Sequence, residues 1–517
     1  MAPLPNCWHI IKHIAQEAKS CSWSLGHRSF ACLRRIKDSK RPSNSTIEIQ
    51  PEPMRSDITS TESFNTWWHP AGFIVFPHLH NAMAEPNRSR CPGLQTFASR
   101  WRGFCDYQLM TRLPRFLAPL LAGLGVTLVQ LAMAVCLLAP EEPVTERYSA
   151  LIQHDSYWFV NIIDRGYQTI VPPIDHKVME ISNVAFFPAY PAIAALLRRV
   201  FNIGTDTALL VTAQFAAWGF WTYFFLFCRR WKLPQALRSC GALLILANPA
   251  AFFLVSAYSE SLFLMALLGF IYWSTAKGPA AKALAAIHGM VMSAARIVGI
   301  VCAAFPAVRS VFRTGWRGLL KPLNWIRENR GAIGLTFVAA SGAVPFFAYC
   351  QLRWGHLDLY MLTQAAGWGI VPDYLALFRP ESYRWPVPAL NNPTEASQLS
   401  MTLGAVLLVL VGFCELIPAI RRRAGMPVRV GIYFCATAIY YLSVSGVACV
   451  EMESMLRYAF GAYALIVLAF LNFLGQFRTP PVWVRALGTA AVALLSAAGL
   501  CVQGWYVWNF TRGNWVA

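Results

Sequence analysis

Seven long apolar runs decide what this chain can fold into. Residues 117–138, 207–228, 331–350, 401–419, 429–449, 456–474 and 486–508 are each about twenty residues long and nearly free of charge. A helix needs about 20 such residues to cross a hydrocarbon core of roughly 30 Å. A soluble enzyme buries shorter helices and surrounds them with charge, whereas only 13% of these 517 residues are charged and 56% are hydrophobic. The expectation is an all-α polytopic membrane protein of about ten to twelve membrane segments.

The net charge of +19 invites a nucleic-acid reading, but the basic residues cluster in short loops between spans, as the positive-inside rule requires. Arg229-Arg230-Trp231-Lys232, the stretch from Arg309 to Arg330 and Arg421–Arg423 are such loops. Nucleic acid is therefore not an expected partner, and the bilayer is. The fourteen cysteines form no CxxC pair, and those inside apolar runs read as small hydrophobes. His78 and His80 near Cys91 match no zinc spacing. No metal site and no cofactor is expected.

Residues 1–110 differ from the rest, being polar and rich in Ser, Pro, Arg and Trp without sustained periodicity. They show no charged segment leading into an apolar core and cleavage site. They read as a disordered extension, with a start at Met110 as one form of that reading, rather than as a regulatory or partner-binding tail. Residues 111–517 then form the membrane domain.

Placing Arg112 and Arg115 inside puts residues 139–185 outside after the first span, where Glu141, Glu142, Glu146, Asp155, Asp164, Asp175 and Glu180 fall. The run from Phe186 to Val200 is short and reads as re-entrant or partly inserted, with Arg198 and Arg199 left awkwardly near the outer side. Ser256–Ser261, a second outer loop at about 353–399 and Glu451–Tyr458 also come out on the outer face. Each polar cluster suited to chemistry is thus on one side.

Within 155–165, Trp158, Phe159, Ile162 and Ile163 share one helical face, as in a helix lying on the membrane surface. Asp155 at its start is either an N-cap or a carboxylate base at the lipid–water boundary. Asp164 is either a functional acid or the neighbour of Arg165. Glu260 opens an apolar run, where the helix dipole favours an acid. Arg296 is the one charge deep in the apolar stretch 282–307, at the bend of a short hairpin. An intramembrane Arg costs at least about 2.5 kcal/mol and faces a cavity or partner. Arg457, at the outer start of a span, suits either interfacial anchoring or a phosphate. Most Tyr and Trp residues nearby read as belt residues, with a few placed to stack on sugar rings.

The arrangement of Asp155, Gly166-Tyr167 and Ala185-Phe186-Phe187-Pro188-Ala189-Tyr190-Pro191 resembles the first lumenal loop of the PIG-V family of mannosyltransferases. Asn248-Pro249-Ala250, Ala257-Tyr258-Ser259-Glu260-Ser261-Leu262-Phe263, Arg296 before Gly299, Gly355-His356-Leu357-Asp358 with Gln364 and Trp368, and Arg457-Tyr458 follow in the same order. The resemblance covers about residues 115–475. His154 stands where that family has Trp, and Ile297 where it has Pro.

The resemblance implies a GT-C-type helical bundle with a catalytic first outer loop, whose sugar donor is a polyprenyl- or dolichyl-phosphate sugar. No glycine-rich phosphate loop is present, which agrees with a donor that is not a nucleotide sugar. The resemblance favours mannose as the sugar, and the expected step is an inverting transfer to an acceptor hydroxyl on a lipid or glycan, with Asp155 as the preferred catalytic base and Glu260 or Asp164 as the alternative. Asp164, Tyr167, Phe187, Tyr190, Tyr258, Glu260, Arg296, Asp358, Gln364, Trp368 and Arg457 would bind substrate. A bacterial cytoplasmic membrane is the favoured location, or the ER membrane in a eukaryote. The rival readings are a transporter or flippase of lipid-linked sugars, against which no internal repeat is evident, and a non-catalytic membrane scaffold.

Overall fold

The computed structural model describes residues 116–138, 143–169, 182–315, 318, 320–383, 393–417, 426–476 and 481–516. These fall in one unit, Tyr107–Ala517. The expectations for residues 1–110, Arg112, Arg115, Glu141, Glu142, Asp175, Glu180 and Arg421–Arg423 lie outside the described residues.

The described chain is helical throughout and contains no strand. Its first helix, α1 (Leu117–Ala132), runs on through a π-helical turn to Leu137. Two short helices follow, α2 (Val144–Ser149) and α3 (Ser156–Arg165), then α4 (Ala189–Phe201) and the long α5 (Thr205–Arg230). Next come α6 (Gln235–Leu246), α7 (Glu260–Ser274), α8 (Pro279–Ala295), α9 (Val298–Cys302) and α10 (Phe305–Thr314). The second half holds α11 (Pro322–Ala340), α12 (Val344–Trp354), α13 (Leu359–Trp368), α14 (Pro393–Leu416), α15 (Met426–Val447), α16 (Met455–Leu474) and α17 (Val482–Phe510).

Among the described residues, seven helices are long and apolar enough to cross a membrane: Leu117–Leu137, Thr205–Arg230, Pro322–Trp354, Glu395–Leu416, Met426–Val450, Met455–Leu474 and Val482–Phe510. Each coincides with one of the seven runs read from the sequence. The chain is a multi-pass integral membrane protein. Helices α6 and α7 are apolar but shorter, and at about 1.5 Å per residue neither spans the core unaided.

The centre of the bundle is α7, buried on nearly every side as an all-round apolar helix must be. It packs between α5 and α8, while α16 packs against α14 and α15. Small residues set the closest approaches, as is usual between membrane helices. A Cβ at Gly342 would fall onto the backbone of Met290, and one at Gly289 onto Ala339. Ser293 Oγ donates to the Ala339 carbonyl at 2.7 Å, tying α8 to α11.

The run from Phe186 folds into α4, about 20 Å long at 13 residues and too short to cross. Near its end, Arg198 pairs with Asp164 at 2.5 Å. Both residues therefore lie on one side, and the position of Arg198 near the face that carries α3 follows from a partner there.

Candidate functional site

Two turns of backbone place the charged residues. Asp155 occupies the N-cap position of α3, yet it makes no capping bond. A capping residue has extended backbone, whereas Asp155 is helical at φ −58°, ψ −22° and His154 before it is left-handed at φ 52°. The carboxylate is thereby directed away from the helix end, and Oδ2 accepts from Arg457 Nη1 at 2.7 Å. The cap alternative is corrected by this geometry.

Arg457 lies in the first turn of α16, after a turn in which Glu451, Met452 and Ser454 all have positive φ (55°, 64° and 66°). Non-glycine residues rarely adopt this region, and each such residue costs of order 1–3 kcal/mol. A strained turn and a left-handed His154 thus precede the two members of one ion pair.

The remaining members come from α7 and the break after α8. Glu260 opens α7, and its Oε1 lies 2.7 Å from Arg296 Nη1 and 3.4 Å from Arg457 Nε. Arg296 is extended, at φ −154°, ψ 146°, between α8 and α9, which is the bend expected there. Gly299 permits that bend, since a Cβ would meet the Met292 carbonyl. The four groups alternate in sign, Asp155–Arg457–Glu260–Arg296, and sum to zero. Side-chain exposure is 19% for Asp155, 3% for Arg457, 7% for Glu260 and 23% for Arg296. The centre of this chain is thus dry and its two ends reach open space.

Three hydrogen bonds fix the carboxylate-bearing segments together. Ala257 N–H donates to Leu151 O (3.2 Å), Ser156 Oγ to Ala257 O (3.0 Å) and Tyr258 Oη to Gln153 O (3.1 Å). The Arg457 guanidinium also sits 5.0 Å from the Tyr258 ring centroid and donates to Tyr458 Oη at 3.0 Å. Its Nε is buried without a hydrogen-bond partner, the 3.4 Å approach to Glu260 being an ion pair only.

A cavity of about 430 Å³ opens beside these residues, within the range of small-molecule sites. Asp155, Glu260, Arg296 and Arg457 line its polar end, and Ile297, Ile300, Val301, Met361 and Leu442 contribute apolar wall. Of the other residues expected to bind substrate, Phe187, Tyr258 and Gln364 also line it. Gln364 donates to Ala185 O at 3.2 Å, holding α13 against the 185–187 segment.

Five residues expected at the site do not line the cavity. Tyr190 is fully buried, donating to Leu209 O, and Tyr167 donates to Phe186 O. Asp164 is taken up by Arg198 and Thr205 on an exposed face. Asp358 is exposed beside His356 at 3.9 Å. Trp368 packs edge-on against Phe186 and Trp158, and of these three only Phe186 lines the cavity. Among the described residues no group of three His, Cys, Asp or Glu side chains is placed to hold a metal ion.

The C-terminal segment closes one side of the ion-pair chain, and no local pattern marks it in the sequence. Trp515 meets His154 edge to face at 4.9 Å, and its ring lies 5.9 Å from the Arg457 guanidinium. His154 Nε2–H donates to Asn514 O at 3.1 Å. Burial lowers the His154 pKa below 6.5, with Arg457 adding to the shift and Asn514 and Asp155 opposing it. The unfolded chain then binds this proton first, so stability is present above about pH 6.5 and lost as pH falls below it. Unfolding temperatures measured across that window are expected to fall on acidification, and His154→Gln is expected to flatten the fall. An unchanged slope in His154→Gln would assign it to another group.

No family model matches the chain, and no curated protein does. Several solved structures are similar to it, among them two oligosaccharyltransferase structures from Archaeoglobus fulgidus. One is the archaeal oligosaccharyltransferase AglB from Archaeoglobus fulgidus in complex with an inhibitory peptide and a dolichol-phosphate, at 12% identity and a TM-score of 0.42, with 75% of this chain and 56% of that one covered. The other is the Archaeoglobus fulgidus oligosaccharyltransferase in the apo form, at 13% identity and a TM-score of 0.42, covering 79% and 57%. The chain spans little more than half the length of these structures. The PIG-V resemblance rests on the sequence motifs alone.

Proposed function

We propose that this chain is a membrane glycosyltransferase of GT-C type that moves a sugar, by the motif resemblance mannose, from a polyprenyl- or dolichyl-phosphate donor to an acceptor hydroxyl. One observation carries the reading. Asp155 lines a cavity that also holds two arginines, and only its Oδ2 is engaged among the described residues.

In the proposed step Asp155 takes the proton of the acceptor hydroxyl as that oxygen attacks the anomeric carbon. The bond from that carbon to the donor phosphate oxygen breaks, and the electron pair leaves with the phosphate. The new glycosidic bond forms on the opposite face, inverting the centre. Arg296 spends one N–H on Glu260 and is part-exposed at the cavity, so it retains donors for the departing phosphate, while Arg457 contributes its positive charge. Glu260, held by both arginines, positions them. The apolar wall suits the start of a lipid tail. Residues 111–517 would make up the transferase, with residues 1–110 as an extension and the site on the non-cytoplasmic face.

The test is label transfer in membranes that contain the chain, supplied with radiolabelled polyprenyl-phosphate mannose and a broad acceptor extract. Label is expected on an extracted acceptor only when the chain is present. Label that crosses the membrane still attached to its polyprenyl phosphate would instead establish a transporter.

A further inference from the structure

The basic stretch after the cavity carries more than the positive-inside rule asks of it. Residues 305–330 hold six Lys or Arg and one Glu. Arg309 and Arg313 lie one turn apart on α10, close enough to repel, and a like-charge pair at this spacing is destabilising. Among the described residues no carboxylate pairs with either. Arg313 donates to Asn329 Oδ1 at 3.2 Å, while Arg309 Nε is buried with no acceptor. Trp325 Nε1, on the helix that α10 packs against, is a second buried donor without a partner. Buried donors are nearly always satisfied.

The backbone gives this cluster a place relative to the bilayer. Pro322–Trp354 is 33 residues long, about 50 Å of helix against roughly 30 Å of hydrocarbon. The helix bends at Asn329, whose φ and ψ are −109° and 17° and whose side chain bonds back to Trp325 O. The apolar span starts just after that bend. Further along, Ala339 and Gly342 meet Met290 and Ser293 next to Arg296. The turn before the bend therefore lies at the end of the bundle away from Asp155. Leu320, Leu323 and Ile326 are exposed there, interleaved with exposed Lys321 and Arg327.

We propose that α10 and the turn of α11 before Asn329 form a binding site for the phosphate group of an anionic phospholipid. The guanidinium groups of Arg309 and Arg313 take the phosphate oxygens, and Lys321 and Arg327 add attraction to a negatively charged leaflet. The exposed leucines and isoleucine enter the acyl boundary. That apolar component favours a lipid over a soluble phosphorylated partner. The site is separate from the proposed transfer chemistry.

The test compares purified, delipidated protein in detergent titrated with phosphatidylglycerol or phosphatidylcholine, read as bound lipid and as unfolding temperature. Preferential retention of phosphatidylglycerol and a higher unfolding temperature with it are expected, both weakened by salt. Arg309→Gln/Arg313→Gln is expected to lower that preference about 25-fold, at about fivefold per basic residue. Arg309→Lys/Arg313→Lys should keep most of it. Should the Gln pair fail to fold, Lys321→Gln/Arg327→Gln, both at exposed positions, is expected to lower the preference to a similar extent. Equal binding of the two lipids by wild type, or an undiminished preference in both Gln pairs, overturns the proposal. Equal protection by inorganic phosphate or glycerol phosphate overturns it in favour of a soluble anion.

Discussion

Asp155→Asn is expected to slow sugar transfer by about 10²–10⁴-fold, the usual contribution of a positioned general base, with little change in the donor KM. Asparagine keeps the shape of the side chain and an oxygen that can accept from Arg457, but it cannot take a proton at neutral pH. Because the bond at 2.7 Å has a substitute, the loss reports basicity rather than collapse of the ion-pair chain. Asp155→Ala removes both and is less informative alone. Asp164→Asn supplies the contrast. Its exposed pairing with Arg198 belongs to a class of interaction that contributes about 0–1 kcal/mol, so transfer is expected to change less than about twofold. Single-turnover kinetics on protein quantified in the membrane would separate the two. An Asp155→Asn enzyme with near-normal turnover would remove Asp155 as the base and leave Glu260 to be tested.

The seven spans could be read directly because burial in hydrocarbon demands length and apolarity, and both are local properties. The four charged residues at the site were also legible, though they are as much as 302 positions apart. A charge at the edge of or within an apolar run is costly and must find a partner. What the pattern could not supply was pairing. Asp155 sits where a cap belongs, and only the left-handed backbone of His154 shows that it does not cap. Asp164 has Arg165 beside it in sequence but bonds to Arg198, brought round by α4. Asp358 and Trp368 carry the resemblance motif and lie off the cavity. Trp515 had no signal at all, since its contact with His154 and Arg457 exists only once α17 has returned the chain to the start of α3.

Arg457→Ala is expected to cost about 3–5 kcal/mol of stability, the range for removing one partner of a buried ion pair. The reason is the order of charges. Glu260 keeps Arg296 when Arg457 is lost, but among the described residues Asp155 has no other ion-pair partner and is left as a part-buried carboxylate close enough to Glu453 to be repelled by it. Arg457→Lys restores one charge but cannot reach both carboxylates with a planar fork, so it is expected to fold with a lowered unfolding temperature and poor transfer. The mechanism makes a further demand that simple loss of packing does not. Adding Asp155→Asn to Arg457→Ala removes the stranded charge, so the double variant should unfold at a higher temperature than Arg457→Ala alone. The coupling is expected at about 1–3 kcal/mol, typical of residues in one network. Thermal unfolding of the four proteins in one detergent measures it. Additive losses would mean that Arg457 stabilises α16 by packing against Tyr258 and Trp515, with the carboxylates as bystanders.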